Sequence, residues 1–168
     1  AELHFCKHTE SGEIDYEHLA SLIKECSSKG KTFLSIMHAN NELGIINDIE
    51  RIGTLCKDQD VLFHSDMVQT VGHLSVNLSQ LPIQFASASA HKFHGPKGKG
   101  VLYISAETKI EPLILGGGQE RNMRAGTEDV AGIVGFAKAL ELAIEDKERE
   151  NKHCSELKEY CWELMKAG

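Results

Sequence analysis

The chain has 168 residues, of which 41% are hydrophobic and 26% charged, and a formal net charge of −7. That length suits one globular domain with a real core, and the acidic balance speaks against nucleic-acid binding. No apolar run is long enough to cross a membrane, and the opening residues lack the charge-then-apolar pattern of a signal peptide. The five cysteines (Cys6, Cys26, Cys56, Cys154 and Cys161) form no C-x-x-C pair, and their odd number fits a reducing, cytoplasmic setting rather than a disulfide scaffold. The chain opens on strand-like sequence and stops inside a helical pattern, as a portion of a longer protein would.

Residues 3–8 read as a short strand, followed by the turn cluster Thr9-Glu10-Ser11-Gly12. Asp15 then caps a predicted helix whose apolar residues Leu19, Leu22, Ile23 and Cys26 recur at helical spacing. The apolar run 32–37 predicts a strand buried on both faces. It leads into His38-Ala39-Asn40-Asn41-Glu42-Leu43-Gly44, a loop at the C-terminal end of a strand, where open α/β sheets bind ligands. On pattern alone, Asn40 and Asn41 fit ligand contact and plain satisfaction of the loop backbone equally well. Asp48 caps a second predicted helix, with Ile49, Ile52, Leu55 and Cys56 facing inward. Residues 61–64 form a strand that delivers Ser65-Asp66-Met67-Val68-Gln69. A carboxylate at the end of an apolar strand is costly unless paired, so Asp66 either caps the next turn or meets a cation. Residues 77–82 read as a short helical turn stopped by Pro82, and residues 83–89 are a strand.

The stretch from Ser87 to Gly100 holds two histidines, three lysines and three glycines, a basic island in an acidic chain. Such an island at a strand end suits an anionic ligand. Lys97 and Lys99 read as parts of a solvated turn. Lys92, between His91 and Phe93, suits a partly buried wall, where a lysine can act as a nucleophile. His91 and His94 are three apart, but no further His or Cys completes a metal site nearby. Residues 101–104 return as a hairpin strand. Gly116-Gly117-Gly118 alone reads as a flexible loop and fits neither a Walker loop nor G-x-G-x-x-G. Glu128 opens a long helix with Val130, Ile133, Val134, Ala137, Leu140, Leu142 and Ile144 on its apolar side. Its charge run 145–150 is a solvated face, and Cys154 and Cys161, seven apart, share a face that favours packing. Residues alone therefore give an α/β domain with an anion-binding edge, to which successive strands bring Asn41, Asp66 and Lys92.

The motif Ser-x-His-Lys-x-x-Gly-Pro-Lys-Gly at residues 89–98 resembles the lysine motif of cysteine desulfurases and selenocysteine lyases, enzymes of the aminotransferase class V group. Asn-Asn-Glu-x-Gly at 40–44, Asp-x-x-Gln at 66–69 and Gly-Gly-Gly-x-Glu-x-x-x-Arg-x-Gly-Thr at 116–127 resemble further motifs of that family. The resemblance covers nearly the whole chain but only a middle portion of the family's length. It implies the large domain of a type I pyridoxal phosphate enzyme: an α/β fold with a mostly parallel sheet flanked by helices. Residues 1–127 would be part of that cofactor-binding domain, and 128–168 a helical segment leading towards an absent small domain. Lys92 would bind pyridoxal 5'-phosphate covalently and act as the catalytic residue. Asp66 would pair with the pyridine nitrogen, and Asn41 and Gln69 would reach the phenolic oxygen. Ser89, His91 and, from the neighbouring subunit of a homodimer, Thr127 would hold the phosphate.

The implied reaction converts L-cysteine to L-alanine and passes sulfur to an enzyme cysteine as a persulfide, then to an acceptor protein. Iron–sulfur cluster assembly and thiolated tRNA are the family's outlets for that sulfur. The attacking cysteine is expected on a loop after the long helix, outside this chain. Two residues depart from the family pattern: Ala90 stands for a usual Gly, and Met67 for a usual Ala, which predicts a narrower or shifted pocket. The extra methyl of Ala90 is tolerable if its φ is negative. Selenocysteine lyase is the close alternative. A non-catalytic dimerisation or scaffold module is the alternative of another class, separable by a cofactor absorption spectrum.

Overall fold

The structure, a computed structural model, describes residues 1–167. Its centre is a four-stranded sheet in the order β1 (Phe33–Met37), β4 (Leu62–Asp66), β5 (Phe85–Ser89), β6 (Gly100–Ile104). The first three strands are parallel, with Met37 beside Asp66 and Asp66 beside Ser87. Strand β6 runs antiparallel to β5, so the lysine segment between them lies in the return of a hairpin. A two-stranded ladder, β2 (Ala39–Asn40) and β3 (Ile45–Ile46), follows β1.

Both predicted helix caps are present. Asp15 Oδ1 accepts the His18 N–H at 2.9 Å and starts α1 (Tyr16–Lys29); Asp48 Oδ1 accepts the Arg51 N–H at 2.9 Å and starts α2 (Ile49–Lys57). These helices press Leu19, Ile23, Ile49, Ile52 and Cys56 onto the sheet face that carries Phe63 and Ala86. Gly53 is required there, because a Cβ at this position would run into the Pro82 carbonyl.

The opposite sheet face is open. Phe33 is 57% exposed and stacks at its rim on His64, with ring centroids 6.2 Å apart. The expectation that β1 is buried on both faces is therefore corrected: α1 and α2 cover one face, and β1 lies at the sheet edge. The predicted strand at residues 3–8 is also absent, apart from a single bridge between His8 and Ile14. A strand exists through its ladder, and among the described residues none runs beside residues 3–7. Between β4 and β5 the chain passes through turns rather than a helix.

The long helix α3 (Val130–Ala167) begins two residues later than Glu128, because Asp129 is the cap: its Oδ1 accepts the Gly132 N–H at 3.1 Å. Asp129 also forms an ion pair with Lys99. The first turns of α3 pack on the lysine segment, with Phe136 edge-on to Phe93 at 5.2 Å and Pro96 lying over Gly135. Val130 and Val134 remain exposed, and so does every residue from 148 to 167, including Cys154 and Cys161. Packing on the shared cysteine face is thus not seen within this chain. Among the described residues, no helix is long and apolar enough to cross a membrane.

Candidate active site

The site grows from the common C-terminal edge of β1, β4 and β5. Parallel pairing puts the ends of these strands side by side, roughly 4.8 Å from neighbour to neighbour. Asp66 closes β4. Its backbone carbonyl accepts the His38 N–H at 2.8 Å, and its Oδ1 accepts the Val68 N–H at 2.9 Å. The carboxylate therefore does fill the turn-capping role, and one of its two oxygens is committed to it. Gln69 follows in the same turn, half-buried.

Ser89 closes β5, and a 3-10 turn, Ala90–Phe93, carries His91 and Lys92. The Ser89 hydroxyl and His91 Nδ1 are 2.8 Å apart, so two groups able to serve one anion already meet. The turn is held at several points. The Ala90 N–H donates to the Lys99 carbonyl at 2.9 Å, and the Gly95 N–H donates to the Ala90 carbonyl at 2.8 Å. Phe93 is buried, whereas Lys92 is half-buried, the environment expected from its neighbours. His94 takes a left-handed conformation, φ 64°, and ends the turn.

Ala90 is fully buried and is not among the residues of positive φ, so its methyl causes no backbone strain. The compensating residue is Gly95, where a Cβ would lie 2.8 Å from that of Ala90. Met67 is likewise fully buried and belongs to the hydrophobic core. The expectation that it narrows the pocket is corrected: its side chain fills the core beneath the sheet.

The other candidates are less tightly gathered. Asn41 is exposed in the turn between β2 and β3, where its Nδ2 donates to Glu42 Oε1 at 3.1 Å. Its neighbour Asn40 accepts the N–H groups of Glu42 and Leu43 and does the backbone work of the loop. Thr127 is exposed just before α3, and among the described residues no hydrogen bond joins it to Ser89, His91 or Lys92. The Lys99–Asp129 pair nevertheless ties the start of α3, two residues beyond Thr127, to the end of the lysine segment.

Two histidines at this edge were not singled out by sequence. His38 is half-buried, its Nδ1 has no partner among the described residues, and burial holds its imidazole below the ordinary pKa. His73 reaches the Lys92 carbonyl across nineteen residues, at 2.8 Å from Nε2. Neither sits in a periodic segment, so no local pattern marks them.

The family model for aminotransferase class-V matches residues 1–167. The chain belongs to the aminotransferase class-V family. Within that family it is 52% identical over 138 residues to the cysteine desulfurase IscS of Dictyoglomus turgidum, which covers 82% of this chain and 35% of that protein. It is 42% identical over 157 residues to the IscS of Histophilus somni, covering 92% and 38%. Among solved structures, a NifS-like protein superposes with TM-score 0.91 at 40% identity, over 99% of this chain and 46% of that one. A NifS-like protein from Rickettsia africae follows at TM-score 0.88 and 36% identity, over 97% and 45%. This class-V chain thus spans between about a third and a half of the length of the relatives it matches. The mostly parallel sheet flanked by helices is the shared fold.

Proposed function

We propose that the protein containing this chain is a pyridoxal phosphate-dependent cysteine desulfurase that takes L-cysteine to L-alanine and transfers the sulfur. The observation that carries the reading is the shared strand edge, where Asp66, the Ser89–His91 pair and Lys92 lie on neighbouring strand ends. The donor set fits the cofactor. It offers a carboxylate for a protonated ring nitrogen, a hydroxyl and imidazole for a phosphate, and an amine for an aldehyde carbon. When bound, pyridoxal phosphate supplies an electron sink for the substrate's Cα.

In this reading Lys92 Nζ binds the cofactor and afterwards moves the Cα proton of the substrate. The Asp66 carboxylate holds the proton on the ring nitrogen through a charge-assisted hydrogen bond. Ser89 Oγ and His91 fix the phosphate, Asn41 and Gln69 fix the far edge of the ring, and Thr127 reaches the phosphate in the partner subunit of a homodimer. Residues 1–127 make up part of the cofactor-binding domain, with 128–168 leading away from it. The sulfur passes to a cysteine as a persulfide and then to an acceptor protein. Cys56 is unsuited to that role, because burial pushes its thiol up to about 12 and keeps it protonated. The close relatives named for cysteine desulfurase support the substrate.

The test is borohydride reduction of the protein with pyridoxal phosphate, followed by peptide mapping. The pyridoxyl group is expected on Lys92. Labelling of Lys97 or Lys99 instead would overturn the assignment.

A further inference from the structure

The lysine turn is held from outside as well as from within. The Ala90 carbonyl is taken inside the turn, by the N–H groups of His94 and Gly95. The Lys92 carbonyl instead meets the ring of His73, at 2.8 Å from Nε2. A carbonyl oxygen only accepts, so Nε2 carries the hydrogen. The approach depends on Gly72, whose φ is +85° and where a Cβ would lie 2.9 Å from that of Phe93. His73 is itself held: its backbone carbonyl accepts the Asn151 Nδ2 at 2.9 Å, from α3.

We propose that His73 is a positioning residue for Lys92, its Nε2–H clamping the Lys92 carbonyl while Asn151 of α3 holds His73 in place. The peptide after Lys92 is thereby fixed, and with it the direction in which the lysine side chain leaves the backbone. The role rests on the reading of Lys92 as the cofactor-binding lysine. It is a matter of backbone geometry: His73 touches neither substrate nor cofactor in this account.

The experiment compares His73→Ala, His73→Gln and Asn151→Ala in the full protein. Its first readout is amide hydrogen exchange of the peptide spanning residues 90–95, measured without cofactor. His73→Ala should speed this exchange about fivefold, the factor an ordinary hydrogen bond commands. His73→Gln, which keeps a donor of similar reach, should restore it to within about twofold of the parent protein. The second readout is the fraction of Lys92 trapped by borohydride at limiting pyridoxal phosphate, which should fall in His73→Ala and recover in His73→Gln. Unchanged exchange in His73→Ala, or His73→Gln as fast as His73→Ala, overturns the clamp. Should His73→Ala not fold, Asn151→Ala at its exposed helical position decides. Faster exchange of residues 90–95 supports the clamp, and unchanged exchange overturns it. If the parent protein is labelled elsewhere than Lys92, the function reading fails while the exchange comparison still judges the clamp.

Discussion

The lysine turn and the glycine-rich loop carry the two most specific motifs of the chain, and they are built in opposite ways. The turn around Lys92 is braced by the β5–β6 hairpin, by Phe93 against Phe136 and by the His73 ring. The loop from Gly116 to Thr127 has Ala125 as its buried anchor, with its N–H on the Ile114 carbonyl at 3.1 Å. Glu120, Arg121 and Asn122 all take positive φ in succession, a conformation that L-residues avoid. Leu113 and Leu115 beside it are 96% and 79% exposed. A motif can thus be equally sharp in sequence whether its shape is complete within the chain or not. The lysine turn owes its shape to contacts made here; the glycine-rich loop finds few of them within these residues.

The largest expected effect lies at the braced end. On the function proposed above, Lys92→Ala in the full protein should abolish pyridoxyl labelling in the 90–100 region and lower alanine formation by about 10³-fold, in the range for loss of a proton-transferring group. Retained turnover would break the contrast at its root. Next comes the floor beneath the sheet. Cys56 is buried with its thiol pushed up to about 12, so alkylation followed by mass spectrometry at pH 8 should be about 10³-fold slower there than at the exposed Cys154 and Cys161. The sign of the linked stability effect follows. The folded-state pKa lies above the ordinary 9.0, so the contribution is intact below pH 9. It is lost as pH rises towards 12, where only the unfolded chain releases the proton.

Phe93→Ala should cost about 3–5 kcal/mol in denaturant melts, because it removes a buried ring and leaves a cavity beside Phe136. A loss under 1 kcal/mol would mean that the turn is not braced by this packing. The smallest effect belongs to the loop. Asn122→Gly relieves a left-handed residue and should raise stability by about 1 kcal/mol or less. A marked loss instead would show that the Asn122 side chain, which lies against Gly118, holds the loop together.

Much of the braced half was legible in the sequence because its signals are local. Asp15 and Asp48 cap helices through bonds to residues three further on, and the order of apolar runs predicts β1, β4, β5 and β6. What was not legible depends on partners distant in the chain. The apolar run 32–37 carries no mark saying that only one of its faces will be covered. Residues 3–8 look like a strand, but no neighbouring segment among the described residues supplies a ladder. At the site, Asp66 and Lys92 were placed by strand ends and Ser89 by the resemblance alone, whereas His73 and His38 gain their meaning only from the fold.

One consequence of α3 is mechanical. Its 38 residues make a rod roughly 57 Å long at 1.5 Å per residue. It is pinned by Phe136 against Phe93 of the lysine turn and by Asn151 on the His73 carbonyl, while everything beyond residue 151 stands clear of the chain's own core. Ala167 lies about 24 Å beyond Asn151 at that rise, so a tilt of about 5° at the pin displaces it by about 2 Å. Asn151 holds the His73 carbonyl and His73 meets the Lys92 carbonyl, so whatever tilts this helix bears on the lysine turn through that pair of contacts.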